Sequence, residues 1–265
     1  MIKELNHVGI RTADMEKSID FYVNILDGKI IRDAKSTDGK SRFVYIQIVD
    51  GIIELISAAP DSADLGLVHI AYIIDYDTTV DECYEKLSEM GYEFTVKPKI
   101  AGSGDGRLAF FRDSSNCIFE LIERRHDIRQ PTLKNNVIEE FDHISIRISD
   151  ECVNKCEDFY LNTMGFRVRK ILRKNNNIMS YYAHGKDTLE TLYTSGVKPE
   201  KALQHLAFRV KSAAKMREYL ISKGVDCPNN IKESQMGGFY ILNVIGPDGV
   251  AIEFLDRCSL DEYNA

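Results

Sequence analysis

Apolar positions along the chain follow two alternating rhythms. The stretch "LNHVGIRTADMEKSIDFYVNILDG", Leu5 to Gly28, begins as an apolar strand-like run holding one His and then shifts to helical spacing. Met15, Ile19, Tyr22 and Leu26 share one face, which predicts a helix from Asp14 to about Leu26 that is stopped at Gly28. A second helix is predicted from about Thr79 to Met90, with Val80, Cys83, Leu87 and Met90 turned inward and Gly91 as the stop. Short β-rich runs follow each helix: "RFVYIQIV" and "GIIELI" after the first, "RLAFFRD" and "IFELIE" after the second. The order is one strand, one helix and about three strands.

That order returns later. "FDHISIRISDECVNKCEDFYLNTMGF", Phe141 to Phe166, repeats the opening pattern. His7 aligns with His143, Arg11 with Arg147, Glu54 with Glu190 and His69 with His205, all at an offset of 136. Phe21-Tyr22 meets Phe159-Tyr160 at 138, while Gly91/Gly224 and Glu120/Glu253 match at 133. The drift falls in loops, where insertions are tolerated. The chain thus reads as two copies of a unit of about 130 residues. We place them at 1–126 and 138–265, joined by the polar "RRHDIRQPTLKNN". Each copy divides again, so the expected fold is α+β with four βαβββ modules.

Four polar residues in each copy sit where the pattern calls for apolar ones. Glu54 lies between Ile52 and Ile56 on one strand face, and Glu120 between Ile118 and Ile122. The opposite faces, Ile53/Leu55 and Phe119/Leu121, are apolar too, so both strands look covered on both sides. A carboxylate buried there is costly unless it is paired or bound to a cation. Taken singly, a His at a strand start is usually structural and a Glu at a strand end usually points to water. The combination differs: His-47-Glu-15-His-51-Glu in the first copy and His-47-Glu-15-His-48-Glu in the second. Two imidazoles and two carboxylates suit Zn, Ni, Co, Mn or Fe(II), with positions left open for substrate. The expected ligands are His7, Glu54, His69 and Glu120, then His143, Glu190, His205 and Glu253. The modules could pair within each copy, or exchange so that His7 and Glu54 meet His205 and Glu253. Arg11 and Arg147 lie four residues beyond their His, about 13 Å along the same strand face. There each could clamp the anionic end of a substrate or simply form a surface ion pair.

Composition narrows the setting. Of 265 residues, 44% are hydrophobic and 28% charged, as in globular proteins. A net charge of −7 gives no reason to expect nucleic acid or an anionic membrane as partner. No apolar run reaches the roughly 20 residues that span a bilayer, and the N-terminal residues do not form a signal peptide's apolar core. Six cysteines are scattered without a CxxC pair, which suggests reduced thiols and a cytoplasmic location.

"HVGIRTADMEKSIDFYVNILDGKIIR", "GLVHIAYII" and "IFELIER" resemble glyoxalase I and its relatives in the vicinal oxygen chelate superfamily, over almost the whole chain. The resemblance implies two tandem domains with curved, mostly antiparallel half-barrel sheets, each around a divalent metal. It implies a lyase or isomerase that moves a proton next to a carbonyl through a metal-bound enediolate. One carboxylate of each pair (Glu54 or Glu120, Glu190 or Glu253) would serve as base. The partner would be a small, anionic substrate, and a homodimer is compatible with the family. Two alternatives stand beside this. A two-domain extradiol dioxygenase would hold Fe(II) on His143, His205 and Glu253, although Asn243 occupies the place of that family's Tyr. A metal-free antibiotic-binding protein is the other.

Overall fold

A computed structural model describes residues 1–124, 126–197, 199–227, 231–234 and 238–257. Of the six cysteines, Cys258 lies outside them; the five described ones are free. No helix among these residues is long and apolar enough to cross a membrane.

The expected order of elements is present. The first half runs β1 (Ile2–Thr12), α1 (Met15–Ile19), β2 (Lys29–Lys35), β3 (Arg42–Ile48), β4 (Gly51–Ser57), β5 (Gly66–Ile74), α2 (Val80–Glu89), β6 (Glu93–Ile100), β7 (Arg107–Arg112) and β8 (Ile118–Glu123). The second half repeats it as β9 (Glu140–Ile148), α3 (Val153–Asp158), β10 (Arg167–Lys174), β11 (Asn177–His184), β12 (Asp187–Thr194), β13 (Leu203–Arg209), α4 (Ala213–Ser222), β14 (Lys232–Glu233), β15 (Tyr240–Ile245) and β16 (Ala251–Asp256). Each half is one curled, mixed eight-stranded sheet, ordered β2-β3-β4-β1-β5-β8-β7-β6 and β10-β11-β12-β9-β13-β16-β15-β14. The fold is α+β. The modules join side by side where β1 meets β5 and β9 meets β13, both antiparallel.

Two helical details depart from the periodicity. After Ile19 the first helix widens into π turns over Asp20–Ile25, and the third does the same over Phe159–Thr163. The extra residue per turn lets adjacent Phe21 and Tyr22 both be buried, as are Phe159 and Tyr160. On α2, Val80, Cys83 and Leu87 are buried as expected, but Met90 is 49% exposed. It stands at the C-cap, where the chain leaves the sheet and turns at Gly91 with φ +86°. The start of α2 is fixed by a capping box between Thr79 and Glu82.

The halves share one continuous apolar core. Phe159 of the second half packs tilted against Tyr92 and edge-to-face against Phe111 and Phe119 of the first, with ring centroids 4.9, 5.8 and 5.6 Å apart. Beside it the buried Tyr160 hydroxyl donates to Asp113 Oδ2 at 2.6 Å. Asp248 reciprocates from the second half, accepting from Ala13 N at 3.1 Å at the entrance to α1. The polar joining segment is tied down as well: Gln130 N donates to the buried Gln47 Oε1 at 2.8 Å, and Leu133 N to Val49 O at 2.9 Å.

Because Phe159 sits in a core made by both halves, Phe159→Ala should cost about 3–5 kcal/mol. Denaturant unfolding should still show one cooperative transition. Two separate transitions, or a negligible change, would contradict a shared core.

Candidate metal centres

The four central strands of the first sheet each supply one polar side chain to a common point. His7 comes from β1, Glu54 from β4, His69 from β5 and Glu120 from β8; all are 6% exposed or less. The register aligns them: Gly9 pairs with both Glu54 and His69, and Ala71 with both His7 and Glu120. The imidazole Nε2 atoms are 3.1 Å apart. Glu54 Oε2 lies 3.1 Å from His7 Nε2 and 3.6 Å from His69 Nε2, and Glu120 Oε2 lies 3.3 and 3.1 Å away. All four ligand atoms fall within 4.8 Å of one another.

Gly9 makes this packing possible. A Cβ added there would sit 2.0 Å from His69 Cε1, so the ring occupies the space that any side chain would fill. Tyr45, opposite Glu54 on β3, lies edge-on to His7 with ring centroids 5.4 Å apart. Phe110, opposite Glu120 on β7, does the same to His69 at 5.2 Å.

The second half builds a similar cluster. His143 and His205 bring their Nε2 atoms to 3.2 Å. Glu253 Oε2 lies 3.8 and 3.3 Å from them, and Glu190 Oε2 3.4 and 3.5 Å. Here only His143, His205 and Glu253 present atoms that all lie within 4.8 Å of one another; Glu190 falls outside that group. Each cluster forms within its own half, so His7 and Glu54 meet His69 and Glu120, and there is no exchange with His205 and Glu253.

Charge explains what such a cluster attracts. Burial disfavours protonating His7, yet the Glu54 and Glu120 carboxylates outweigh it and lift its pKa to about 9. Burial likewise opposes His143, but Glu190 and Asp142 carry it up to about 10. Burial would raise the carboxylates, and the imidazoles reverse this: Glu120 is held down to about 2, Glu190 to about 2, and Glu54 below its ordinary value. The carboxylates thus stay ionised, and each site draws in positive charge, a proton or a metal ion.

The surroundings favour a metal. Asn6 Oδ1 lies 2.8 Å from His7 Nδ1 and can only accept, which keeps a proton on Nδ1 and turns Nε2, whose proton a metal ion would replace, into the cluster. Arg124 Nη1 holds the same Asn6 oxygen at 3.4 Å. In the second half Asp142 Oδ1 takes the His143 Nδ1 proton at 2.8 Å, with Arg257 donating to it at 2.6 Å. Such outer partners fix tautomer and ring orientation in metal sites. Oε2 of Glu120 and of Glu190 are buried without any hydrogen bond among the described residues. Once the imidazole protons leave, lone pairs face lone pairs at about 3 Å, a demand a divalent cation meets, so the residues present fit one.

The two arginines stand outside the clusters. Arg11 Nη1 is paired with Asp64 Oδ2 at 2.5 Å and its side chain is 44% exposed. It borders a cavity of about 400 Å³ that His69 also lines. Arg147 Nη1 donates to Thr194 Oγ1 at 3.3 Å.

A curled sheet with this ligand set at its centre defines a half-barrel of paired βαβββ modules. The chain belongs to the Glyoxalase/Bleomycin resistance protein/Dioxygenase superfamily, whose profile matches residues 4–121 and 140–254. It is 26% identical over 126 residues to a lactoylglutathione lyase of Escherichia coli O157:H7, covering 46% of this chain and 93% of that protein. In fold it is similar to the Mn(II)-bound glyoxalase from Novosphingobium aromaticivorans, at a TM-score of 0.69 and 17% identity over 97% of this chain and 83% of that one. It is also similar to the 2,3-dioxygenase LapB from Pseudomonas sp. KL28, at 0.68 and 15% over 96% and 92%.

Gly9→Ala should displace His69 and abolish metal uptake at the first cluster while the second retains its own. The metal-to-protein ratio after dialysis should halve, and an unchanged ratio would contradict the role of Gly9. Since His7 carries a proton below about pH 9, metal uptake near neutrality must expel it. First-site affinity should therefore fall by up to about tenfold per pH unit below 9. Calorimetric titration in buffers of different ionisation enthalpy should detect roughly one released proton. A pH-independent affinity would contradict this.

Proposed function

We propose that the protein is a divalent-metal-dependent lyase or isomerase of the glyoxalase I type, with units at 1–126 and 138–265. The reaction is proton transfer next to a carbonyl of a small, anionic, oxygenated substrate. The observation that carries this reading is the first cluster, where four buried ligand atoms meet beside an open cavity. His7, Glu54, His69 and Glu120 would hold the ion, and His143, Glu190, His205 and Glu253 a second one. Bound there, Zn, Ni, Co, Mn or Fe(II) supplies Lewis acidity to substrate oxygens.

The chain's own residues do the rest. Glu54 or Glu120 takes the proton from the carbon beside the carbonyl and returns it to the neighbouring carbon; Glu190 or Glu253 does so in the second half. Asn6 and Arg124 keep the His7 ring in place while the carboxylate moves. Phe110 covers His69 and keeps water from the inner end of the cavity. Arg11 receives the anionic end of the substrate, exchanging its bond to Asp64 for one to the ligand.

A second reading has its own observation. In the second half His143, His205 and Glu253 group without Glu190, a two-His, one-carboxylate set of the type used by non-haem Fe(II) oxygenases. Against ring cleavage, Asn243 stands opposite Glu253 where extradiol enzymes carry a Tyr.

Glu120→Gln should abolish first-site turnover of hemithioacetals or 2-hydroxy-ketones while keeping most of the metal. Full first-site activity in that variant would remove Glu120 as the base. Oxygen consumption on catechols with bound iron would favour ring cleavage instead, and a chain that binds small molecules without metal would favour sequestration.

A further inference from the structure

The two centres are built from one repeated plan, yet their surroundings differ in charge. On β7, Phe110 faces Glu120, and Arg112 lies two residues on, on the same concave face and about 7 Å along the strand. At the matching offset of 133, β15 carries Asn243 and Ile245. Ile245 is 64% exposed. The first site therefore has a guanidinium where the second has an alkyl group.

Arg112 has donors to spare. Its Nη1 donates to Asn116 Oδ1 at 2.9 Å and to Asn116 O at 3.3 Å, and no carboxylate pairs with it among the described residues. It borders the cavity above His69 together with Arg11 and, from the other half, Lys201. The Lys201 ammonium touches the Leu65 carbonyl oxygen at 3.3 Å. These three cations face two carboxylates, Asp64 and Glu200, and Asp64 is already engaged by Arg11. In a chain of net charge −7, this cavity mouth is cationic. Leu67, Phe110 and Leu203 give the same cavity an apolar part of its wall.

We propose that the two sites have different specificities: the first takes a carbonyl substrate with an anionic group remote from the reacting end, bound by Arg112 and Lys201 beside Arg11. The second, with Ile245 in place of Arg112, does not require that charge. Arg112 and Lys201 are specificity residues rather than catalytic ones, since neither touches the His/Glu cluster. This division rests on the reading of the first cluster as the reacting centre, but the anion preference needs only the cavity.

The test compares two probes that differ only at the remote end. 2-Oxoglutarate and its 5-methyl ester share the 2-oxo-acid group, but only the diacid has a distal carboxylate. On the Mn(II)-loaded protein, calorimetry should show one site per chain preferring the diacid by about tenfold or more, the scale of a charge-assisted contact. Arg112→Gln and Lys201→Gln should each shrink that ratio by about threefold or more, with ester affinity and metal content unchanged. Ile245→Arg should create a second diacid-preferring site, a gain that misfolding cannot imitate. Equal affinity for diacid and ester in the wild type, or an unaltered ratio in both loss variants, would overturn the proposal. A protein that takes up no metal but keeps the diacid preference would sink the proposed reaction and leave this inference standing.

Discussion

Two carboxylates and two imidazoles converge at the centre of a buried sheet, and the rest of the half-barrel is arranged around that convergence. Ionised carboxylates inside a protein are tolerated only when positive charge meets them. The raised imidazoles and lowered carboxylates express that demand. Four strands must meet in one register to satisfy it, Asn6 or Asp142 must hold a ring nitrogen, and in the first half Gly9 leaves room for the His69 ring. Charge is thus the constraint from which the local geometry follows.

The shared core explains why such a costly centre can persist twice. Each sheet places two carboxylates and two imidazoles at the centre of one curled face, so apolar packing on the other face must offset their burial. Phe159, Tyr160 and Phe166 of the second half fill the space over Tyr72, Phe111 and Phe119 of the first. The joining segment, bonded along Gln47 and Val49, keeps the halves in that arrangement. The two halves cannot drift apart without exposing aromatic surface.

Much of this was legible in the sequence. The repeat offset located all eight His and Glu positions, the strand–helix–strand order, and the buried Tyr22, Leu26, Val80, Cys83 and Leu87 of the helices, while Met15 and Ile19 are half-buried and Met90 is exposed at a C-cap. What escaped were residues that act by contact rather than by spacing. Tyr45 and Tyr181, and Asn6 and Asp142, match at 136, and Arg124 and Arg257 at 133, so the same repeat carried the signal. A Tyr or Asn in a strand looks ordinary until the side chain it touches is known. The π turns were hidden because adjacent buried aromatics fit no regular helical face. The differences between the copies, Gly9 against Ser145 and Arg112 against Ile245, were equally visible, but only the fold places them against a cluster.

The most direct test is diffraction at the absorption edge of a bound metal, from crystals of protein reconstituted with Mn(II) or Zn(II). The account predicts an anomalous peak in contact with His7, Glu54, His69 and Glu120, and a second one at His143, His205 and Glu253. Its absence between His7 and Glu120 at saturating metal, with the four side chains ordered, would contradict the view that these residues are gathered to hold a cation.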